Sequence, residues 1–347
     1  YYKMALIEYV KPKTLIFGSS TASVFKQNYF SESFVNSGGG GFNSISEGSH
    51  FLNKILERHK PEIIFFVLDF YWFTGKLKVK SVYRDPETVP PRLTKTILNL
   101  PSRWLKNGKL KYTDYFKGLN PFYRVREGCF MGVRARTVGW GGWGWSPDGS
   151  DMGVINPNGS PQFTPAEFSR DSEGGRKAAI HNIETNQGTW VHDKKAVPKA
   201  IEGFIKMVRH LESQGVSVVS YFPPLAPEVY KKVREFSDEY SYITEAKRQF
   251  AASNIKVYDL ENPEIMGLKD CHFSGDLHFA SFAAATILKT LVDMDKSGTI
   301  GRYVDMDYIV KNLEKYSNIT TVVDRRKPEW NETEAFRHFC IFDKSTS

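Results

Sequence analysis

The sequence predicts an α/β fold with a doubly wound, mostly parallel β-sheet between two layers of helices. The first 75 residues follow a β–turn–β–α–β order: apolar runs at 14–17 and 33–36, a helical apolar face within 46–59, and then the run IIFFVLDF. This run is apolar on both faces, which is typical of a parallel strand covered by helices on both sides. The alternation resumes near residue 198, so both ends of the chain are expected to build one three-layer α/β/α domain.

The second half of the sheet follows in the same manner. A helix with one apolar face begins at Pro198 and is closed by Gly215, and the buried strand VSVVSYF comes next. A charged helical segment over 228–252 leads to another strand, NIKVYDL. Residues 281–294, SFAAATILKTLVDM, predict a helix of small residues that can pack closely on a sheet.

Two segments do not follow this alternation. Residues 76–197 are rich in Gly, Pro, Asn and Trp and include GWGGWGWSPDGS, which predicts a large irregular insertion lying over the sheet. Residues 296–347 are predicted as a C-terminal extension with one amphipathic helix near 305–316. The α/β domain itself is therefore assigned to residues 1–75 and 198–295.

Composition and charge argue against several classes of protein. The net charge of +8 comes from 47 basic and 39 acidic residues spread along the chain, whereas nucleic-acid binders concentrate positive charge in a stripe or an arm. The three cysteines are far apart and indicate neither a disulfide framework nor a zinc pattern. The glycine run at 38–41 fits neither a P-loop nor G-x-G-x-x-G. We therefore expect no nucleic acid, cofactor or metal.

The ends of the predicted strands carry the candidate functional residues, because ligands of parallel α/β sheets bind at that edge. Ser20, in the GSS turn after the first strand, could be a nucleophile or simply a turn residue. The run NSGGGGFN offers backbone N–H groups to an anion, or forms a flexible turn. Asp69, followed by Tyr71 and Trp72, could contact a substrate or cap the next element.

A second polar cluster lies directly before the last helix of the predicted sheet. The segment DCHFSGDLHF contains two Asp-x-His pairs, Asp270/His272 and Asp276/His278. A general base needs an imidazole whose orientation a carboxylate can fix, and either pair could supply one. The same four side chains could ligate a metal ion, but no other ligand cluster of that density accompanies them. The sequence therefore favours a serine–histidine reaction over a metal site.

Three segments together resemble the SGNH (GDSL-like) superfamily of serine esterases and acyltransferases. They are KPKTLIFGSS, VNSGGGGFN and GDLHFASFAAA, and they look most like the extracytoplasmic branch related to bacterial polysaccharide O-acetyltransferases. The resemblance implies the flavodoxin-like SGNH fold, with Ser20 as nucleophile and oxyanion donor and Gly41 as second donor. It further implies His278 as base and Asp276 as its partner, since the family's histidine lies close before the final helix.

The sequence departs from this family in its third conserved block. Where the superfamily has Gly-x-Asn-Asp, with the Asn as a third oxyanion donor, this chain has VLDFYWF. An ionised Asp69 cannot donate a hydrogen bond. Another group must therefore replace that donor, or the site is weaker or altered in function.

The resemblance implies an acyl-ester hydrolase or O-acetyltransferase that acts on acylated cell-envelope or exopolysaccharide carbohydrate. Asp69, Trp72, Trp143 and Trp145 are the candidate substrate contacts. The tryptophans of the insertion could stack on sugar rings, or they could pack the irregular insertion itself. The implied location is extracytoplasmic. The sequence begins with Tyr1 rather than Met, so an anchor or signal could precede it. The resemblance implies a membrane anchor or a membrane partner outside the given chain. The alternative is a non-catalytic carbohydrate-binding or scaffolding protein on a degenerate SGNH fold.

Overall fold

The computed structural model describes residues 2–38, 44–77, 153–155, 161–163, 165–273, 275, 277–279 and 281–315. Its strands are β1 (Thr14–Phe17), β2 (Phe34–Asn36), β3 (Ile63–Val67), β4 (Gly153–Ile155), β5 (Pro161–Phe163), β6 (Ser217–Phe222) and β7 (Val257–Asp259). Its helices are α1 (Tyr2–Val10), α2 (Ile45–Leu56), α3 (Pro165–Thr185), α4 (Pro198–Ser213), α5 (Pro227–Glu235), α6 (Ser241–Ala252), α7 (Ser281–Met294) and α8 (Met306–Lys315).

Five of these strands form one parallel sheet in the order β2-β1-β3-β6-β7. Without the small antiparallel hairpin β4–β5, this is the 2-1-3-4-5 order of flavodoxin-like, doubly wound folds. The chain runs from β1 outward to β2 and then returns past β1 to β3. The order thus reverses beside β1, and in folds of this class ligands bind at the carboxyl ends of the strands next to such a reversal. The predicted α/β fold is confirmed.

Both faces of the sheet are covered, as the apolar run IIFFVLDF predicted. Successive strand residues point to opposite faces, and Phe66 contacts Phe204 of α4 with ring centroids 5.9 Å apart. On the other face, Phe65 contacts Phe30 at 5.8 Å. All five residues of β3 are fully buried, so the centre of the sheet lies in the core.

The element boundaries agree with the local signals of the sequence. Pro198 is the first residue of α4, and Gly215 follows that helix with a φ of +77°, a backbone conformation that favours glycine. The hydroxyl of Ser44 caps α2 by accepting from the N–H of Glu47. In the structure, a turn divides the predicted segment 228–252 into two helices, α5 and α6.

The predicted insertion and extension are partly described. The insertion contains the hairpin β4–β5 and the 21-residue helix α3, neither of which the sequence analysis predicted. β5 lies beside the turn that follows β1. The first part of the extension is hydrogen-bonded to the α/β domain: the N–H of Asp305 donates to Tyr29 O, and a β-bridge joins Phe30 to Val304. Residues 78–152 and 316–347 lie outside the described residues.

Candidate active site

Ser20 begins a short 3₁₀ turn, Ser20–Val24, directly after β1. Gly18 makes this tight exit from the strand possible: a Cβ at this position would lie 2.7 Å from the Ala22 Cβ and 2.9 Å from the Val67 Cβ. Ser19 caps the turn and is 2% exposed, whereas Ser20 is half-buried. The turn therefore encloses the first serine and presents the second at the carboxyl edge of the sheet.

The imidazole of His278 lies next to this serine. His278 Nε2 is 2.9 Å from Ser20 Oγ, although 258 positions separate the two residues in the sequence. His278 is half-buried in the loop before α7, and Phe279 of the same loop packs against Phe25 behind the turn, with ring centroids 5.9 Å apart. A ring nitrogen at this distance can accept the serine proton as the oxygen attacks an electrophile.

The loop after β2 is tied to the turn that carries Ser20. The Asn36 side chain is fully buried and donates to Ala22 O at 2.9 Å and to Phe25 O at 3.0 Å. Its Oδ1 accepts from the N–H of Gly38 at 2.8 Å. This amide therefore holds the start of the glycine run beside the serine turn. Gly41, the predicted second oxyanion donor, lies outside the described residues.

A buried carboxylate lies beneath the serine turn, at the end of β3. Asp69 is 2% exposed, and both of its oxygens accept hydrogen bonds: Oδ1 from Thr21 Oγ1 at 2.9 Å and Oδ2 from Tyr71 OH at 2.9 Å. Tyr71 OH also lies 3.3 Å from Ser19 Oγ. One carboxylate is thus connected to the residues on both sides of Ser20.

Burial raises the pKa of the Asp69 carboxyl above its ordinary value. Hydrogen bonds from Ser19, Thr21 and Tyr71, together with the positive charge that His278 can carry, act in the opposite direction. Nearby on β6, burial and, to a smaller extent, the charge of Asp69 raise the pKa of Tyr221 well above its usual value, which keeps this phenol neutral. The described surroundings of Asp69 therefore consist mainly of neutral hydroxyl groups.

The second Asp-x-His pair has a structural environment. His272 is 2% exposed, and its Nδ1 accepts from the N–H of Lys269 at 3.0 Å. Asp270 lies 3.6 Å from Arg176 of α3 and accepts from the N–H of Glu228 at 3.2 Å. These contacts join the loop before α7 to helices α3 and α5. They support the choice of His278 over His272 as the candidate base.

The remaining predicted site residues fall into two groups. Asp69 and Trp72 are buried, 2% and 6% exposed, and the oxygens of Asp69 bond to internal hydroxyls, which favours an internal role over direct substrate contact. Asp276, Trp143 and Trp145 lie outside the described residues, so their predicted roles stay predictions. No sequence pattern pointed to Thr21, and Tyr71 stood out only as one of the aromatic residues after Asp69.

The described part of the chain shows neither a metal-binding cluster nor a membrane-spanning helix. Among those residues, no group of three or more His, Cys, Asp or Glu side chains is arranged to hold a metal ion. Across the same ranges, no helix has both the length and the hydropathy that crossing a membrane requires. Comparison of the chain with family models, with curated proteins and with solved structures found no match.

Proposed function

We propose that this chain is a serine-dependent acyl-ester hydrolase or O-acyltransferase, most similar in its motifs to the SGNH superfamily, that acts on acylated carbohydrate. The observation that carries the proposal is the 2.9 Å separation between Ser20 Oγ and His278 Nε2 at the carboxyl edge of the sheet. A nucleophile and a base within hydrogen-bond distance are the minimum that acyl transfer through serine requires.

The reaction proceeds in two half-reactions. Ser20 Oγ forms a bond to the acyl carbon while its proton passes to His278 Nε2, which gives a tetrahedral oxyanion and an imidazolium. The oxyanion collapses, the bond from the acyl carbon to the alcohol oxygen breaks, and His278 returns the proton to the leaving alcohol. Water or a sugar hydroxyl then attacks the acyl-enzyme by the reverse sequence, which releases the acid or the transferred ester.

The remaining parts of the mechanism follow from the sequence resemblance. The backbone N–H groups of Ser20 and Gly41 would stabilise the oxyanion, and Asp276 would orient His278 and stabilise its protonated form. The carbohydrate substrate, the extracytoplasmic location and a membrane anchor beyond this chain belong to the same proposal. The tryptophans of the insertion support the carbohydrate assignment, because indole rings can stack on sugar rings.

The test is active-site labelling with a fluorophosphonate probe, followed by peptide mass mapping and by hydrolysis of p-nitrophenyl acetate. We expect the probe on Ser20, and we expect Ser20→Ala and His278→Ala to lose turnover by on the order of 10⁴-fold or more. Ser213→Ala and His210→Ala change the same residue types at exposed positions of α4 and should behave as wild type.

Normal labelling and turnover in Ser20→Ala would refute the proposal. An unlabelled wild type that still binds a glycan would support the non-catalytic alternative. Hydrolysis and transfer are separated by incubating the acyl-enzyme with an oligosaccharide acceptor. Transfer adds one acetyl group to the mass of the acceptor, whereas hydrolysis yields only acetate.

A further inference from the structure

We propose that Asp69 is a positioning residue that holds the Ser20 turn against the end of β3 and so sets the geometry of the nucleophile. This proposal rests on the proposed serine-dependent function. It assigns to Asp69 a role different from the oxyanion donor that the SGNH resemblance expects at this place in the sequence. The proposal depends on the hydrogen bonds, the burial and the charge of this carboxylate.

The hydrogen bonds connect Asp69 to both neighbours of Ser20. Thr21 donates to Oδ1 at 2.9 Å, while Tyr71 donates to Oδ2 at 2.9 Å and lies 3.3 Å from the hydroxyl of Ser19. Since Ser19 and Thr21 flank Ser20, the backbone of the nucleophile is fixed on both sides through one carboxylate. Asp69 directly precedes the 3₁₀ turn Phe70–Phe73, whose four residues are all buried, so this anchor is itself rigid.

Burying a carboxylate is energetically unfavourable, which argues against a merely structural role for Asp69. A carboxylate loses much of its solvation at 2% exposure, and internal hydroxyl donors compensate for only part of that loss. Groups that are held at such a cost concentrate at functional sites. A neutral side chain could fill the same space, so the ionisable carboxylate points to a role in the reaction.

The charge of Asp69 has a second effect on the catalytic pair. The positive charge that His278 can carry lowers the pKa of the Asp69 carboxyl, against the larger effect of burial, so the two groups interact electrostatically. An imidazolium forms when Ser20 attacks, so a fixed negative charge in its surroundings stabilises that stage of the reaction. The described groups that interact with Asp69 include the hydroxyls of Ser19, Thr21 and Tyr71, this imidazole and the phenol of Tyr221.

Three substitutions test the proposal by removing one component each. Asp69→Asn keeps the shape and removes the charge, Tyr71→Phe removes one donor, and Thr21→Val removes the other. We expect kcat to fall about 100-fold in Asp69→Asn, because the amide loses the charge and can accept from only one of the two hydroxyls. We expect a fall of about tenfold in each hydroxyl variant, with KM within about twofold of wild type throughout, since none of these side chains is proposed to bind substrate.

Asp193→Asn is the matched control. Asp193 lies between α3 and α4, and it likewise uses its carboxylate to accept from residues that follow β3: Thr74 Oγ1 at 2.8 Å and the N–H of Gly75 at 3.2 Å. It has no described contact with the serine turn. We expect wild-type kcat and KM from this variant.

The outcomes separate this inference from the proposed function. If the wild type is neither labelled nor active, the proposed function fails. If Ser20→Ala is inactive while Asp69→Asn, Tyr71→Phe and Thr21→Val all keep the wild-type kcat, only the positioning role is overturned. A rise in kcat in Asp69→Asn would also overturn it, because the amide would then be acting as an oxyanion donor. If Asp69→Asn does not fold, the two hydroxyl variants decide.

Discussion

Replacing Gly18 by alanine is the sharpest steric test of how the nucleophile is presented. The added Cβ would lie 2.7 Å from the Ala22 Cβ, 2.9 Å from the Val67 Cβ and 3.0 Å from the Val67 carbonyl oxygen. Non-bonded carbons settle at roughly 3.5–4.0 Å, so the serine turn must move away from β3 by about 0.5–1 Å. Backbone and Cβ atoms oppose the new methyl group, and neither can rotate out of its way.

A displacement of this size changes both activity and stability. It stretches the 2.9 Å contact between Ser20 Oγ and His278 Nε2 beyond the roughly 3.2 Å of a good hydrogen bond. We therefore expect Gly18→Ala to lose about 100-fold in kcat and in the rate of fluorophosphonate labelling. Overpacking of the core should also lower the free energy of unfolding by about 1–3 kcal/mol, measured by urea titration.

Gly301→Ala is the control for the loss of a glycine. A Cβ at Gly301 would lie 3.7 Å from the Val292 Cγ1, an ordinary van der Waals distance, so activity and stability should stay close to wild type. If Gly18→Ala labelled at the wild-type rate with unchanged stability, the turn would have accommodated the methyl group without moving. The steric reasoning, and the role of Gly18 in presenting Ser20, would then be refuted.

Two further predictions concern the groups around this turn. Asn36→Ala removes three buried hydrogen bonds and should lower the free energy of unfolding, measured in urea, by about 2–4 kcal/mol. A loss below about 0.5 kcal/mol would contradict the role of Asn36 in linking the loop after β2 to the serine turn. Burial raises the pKa of Asp69 above 3.8, so over a range of pH the folded wild type keeps a proton that the unfolded chain has already released. The free energy of unfolding of the wild type therefore falls as the pH rises from 3.8 to the raised pKa. The fall is about 1.4 kcal/mol for each pH unit between the two pKa values. Asp69→Asn lacks this loss, so its stability relative to wild type should increase as the pH rises above about 4 in thermal unfolding. A pH-independent difference would contradict the assignment.

Sequence patterns predicted elements well where an apolar run is bounded by residues that cannot continue it. The strand at 14–17 ends at Gly18, and the helix over 281–294 begins after the polar loop, and both agree with the structure. The continuous run IIFFVLDF correctly predicted a central parallel strand, because a strand covered on both faces has no polar side to show. These signals are local and do not depend on tertiary contacts.

Helix α3 was missed because its local signals are weak and tertiary contacts support it. It contains Gly174 and Gly175 near its middle and has many charged residues, which lowers its predicted helicity. In the fold, a Cβ at Gly175 would lie only 3.0 Å from the Cα of Gly275, and Arg176 pairs with Glu228. Gly175 therefore allows the helix to approach the loop before α7 closely. This requirement cannot be read from the sequence of the helix alone.

The proximity of Ser20 and His278 was predictable from the sequence, but the contacts that support the serine turn were not. The separation of Ser20 and His278 along the chain is bridged by the sheet, and a doubly wound order was enough to expect that their loops meet. The contact of Thr21 with Asp69 depends instead on β1 being the direct neighbour of β3, in the register that pairs Phe17 with Phe66. Side-chain partners across two strand ends require the strand order, which composition and periodicity do not supply.

The position of Asp69 changes the interpretation of the missing asparagine. As a departure from the SGNH pattern, Asp69 suggested a site that lacks an oxyanion donor. In the structure, its carboxylate accepts from the hydroxyls of Thr21 and Tyr71, and through Thr21 it contacts the turn that carries Ser20. In the proposed reaction, a negative charge at this place disfavours the oxyanion and stabilises the positive charge that forms on the base. Such a site would depend on backbone N–H groups for the oxyanion, and on Asp69 for the position of Ser20 and for the charge that forms on its base.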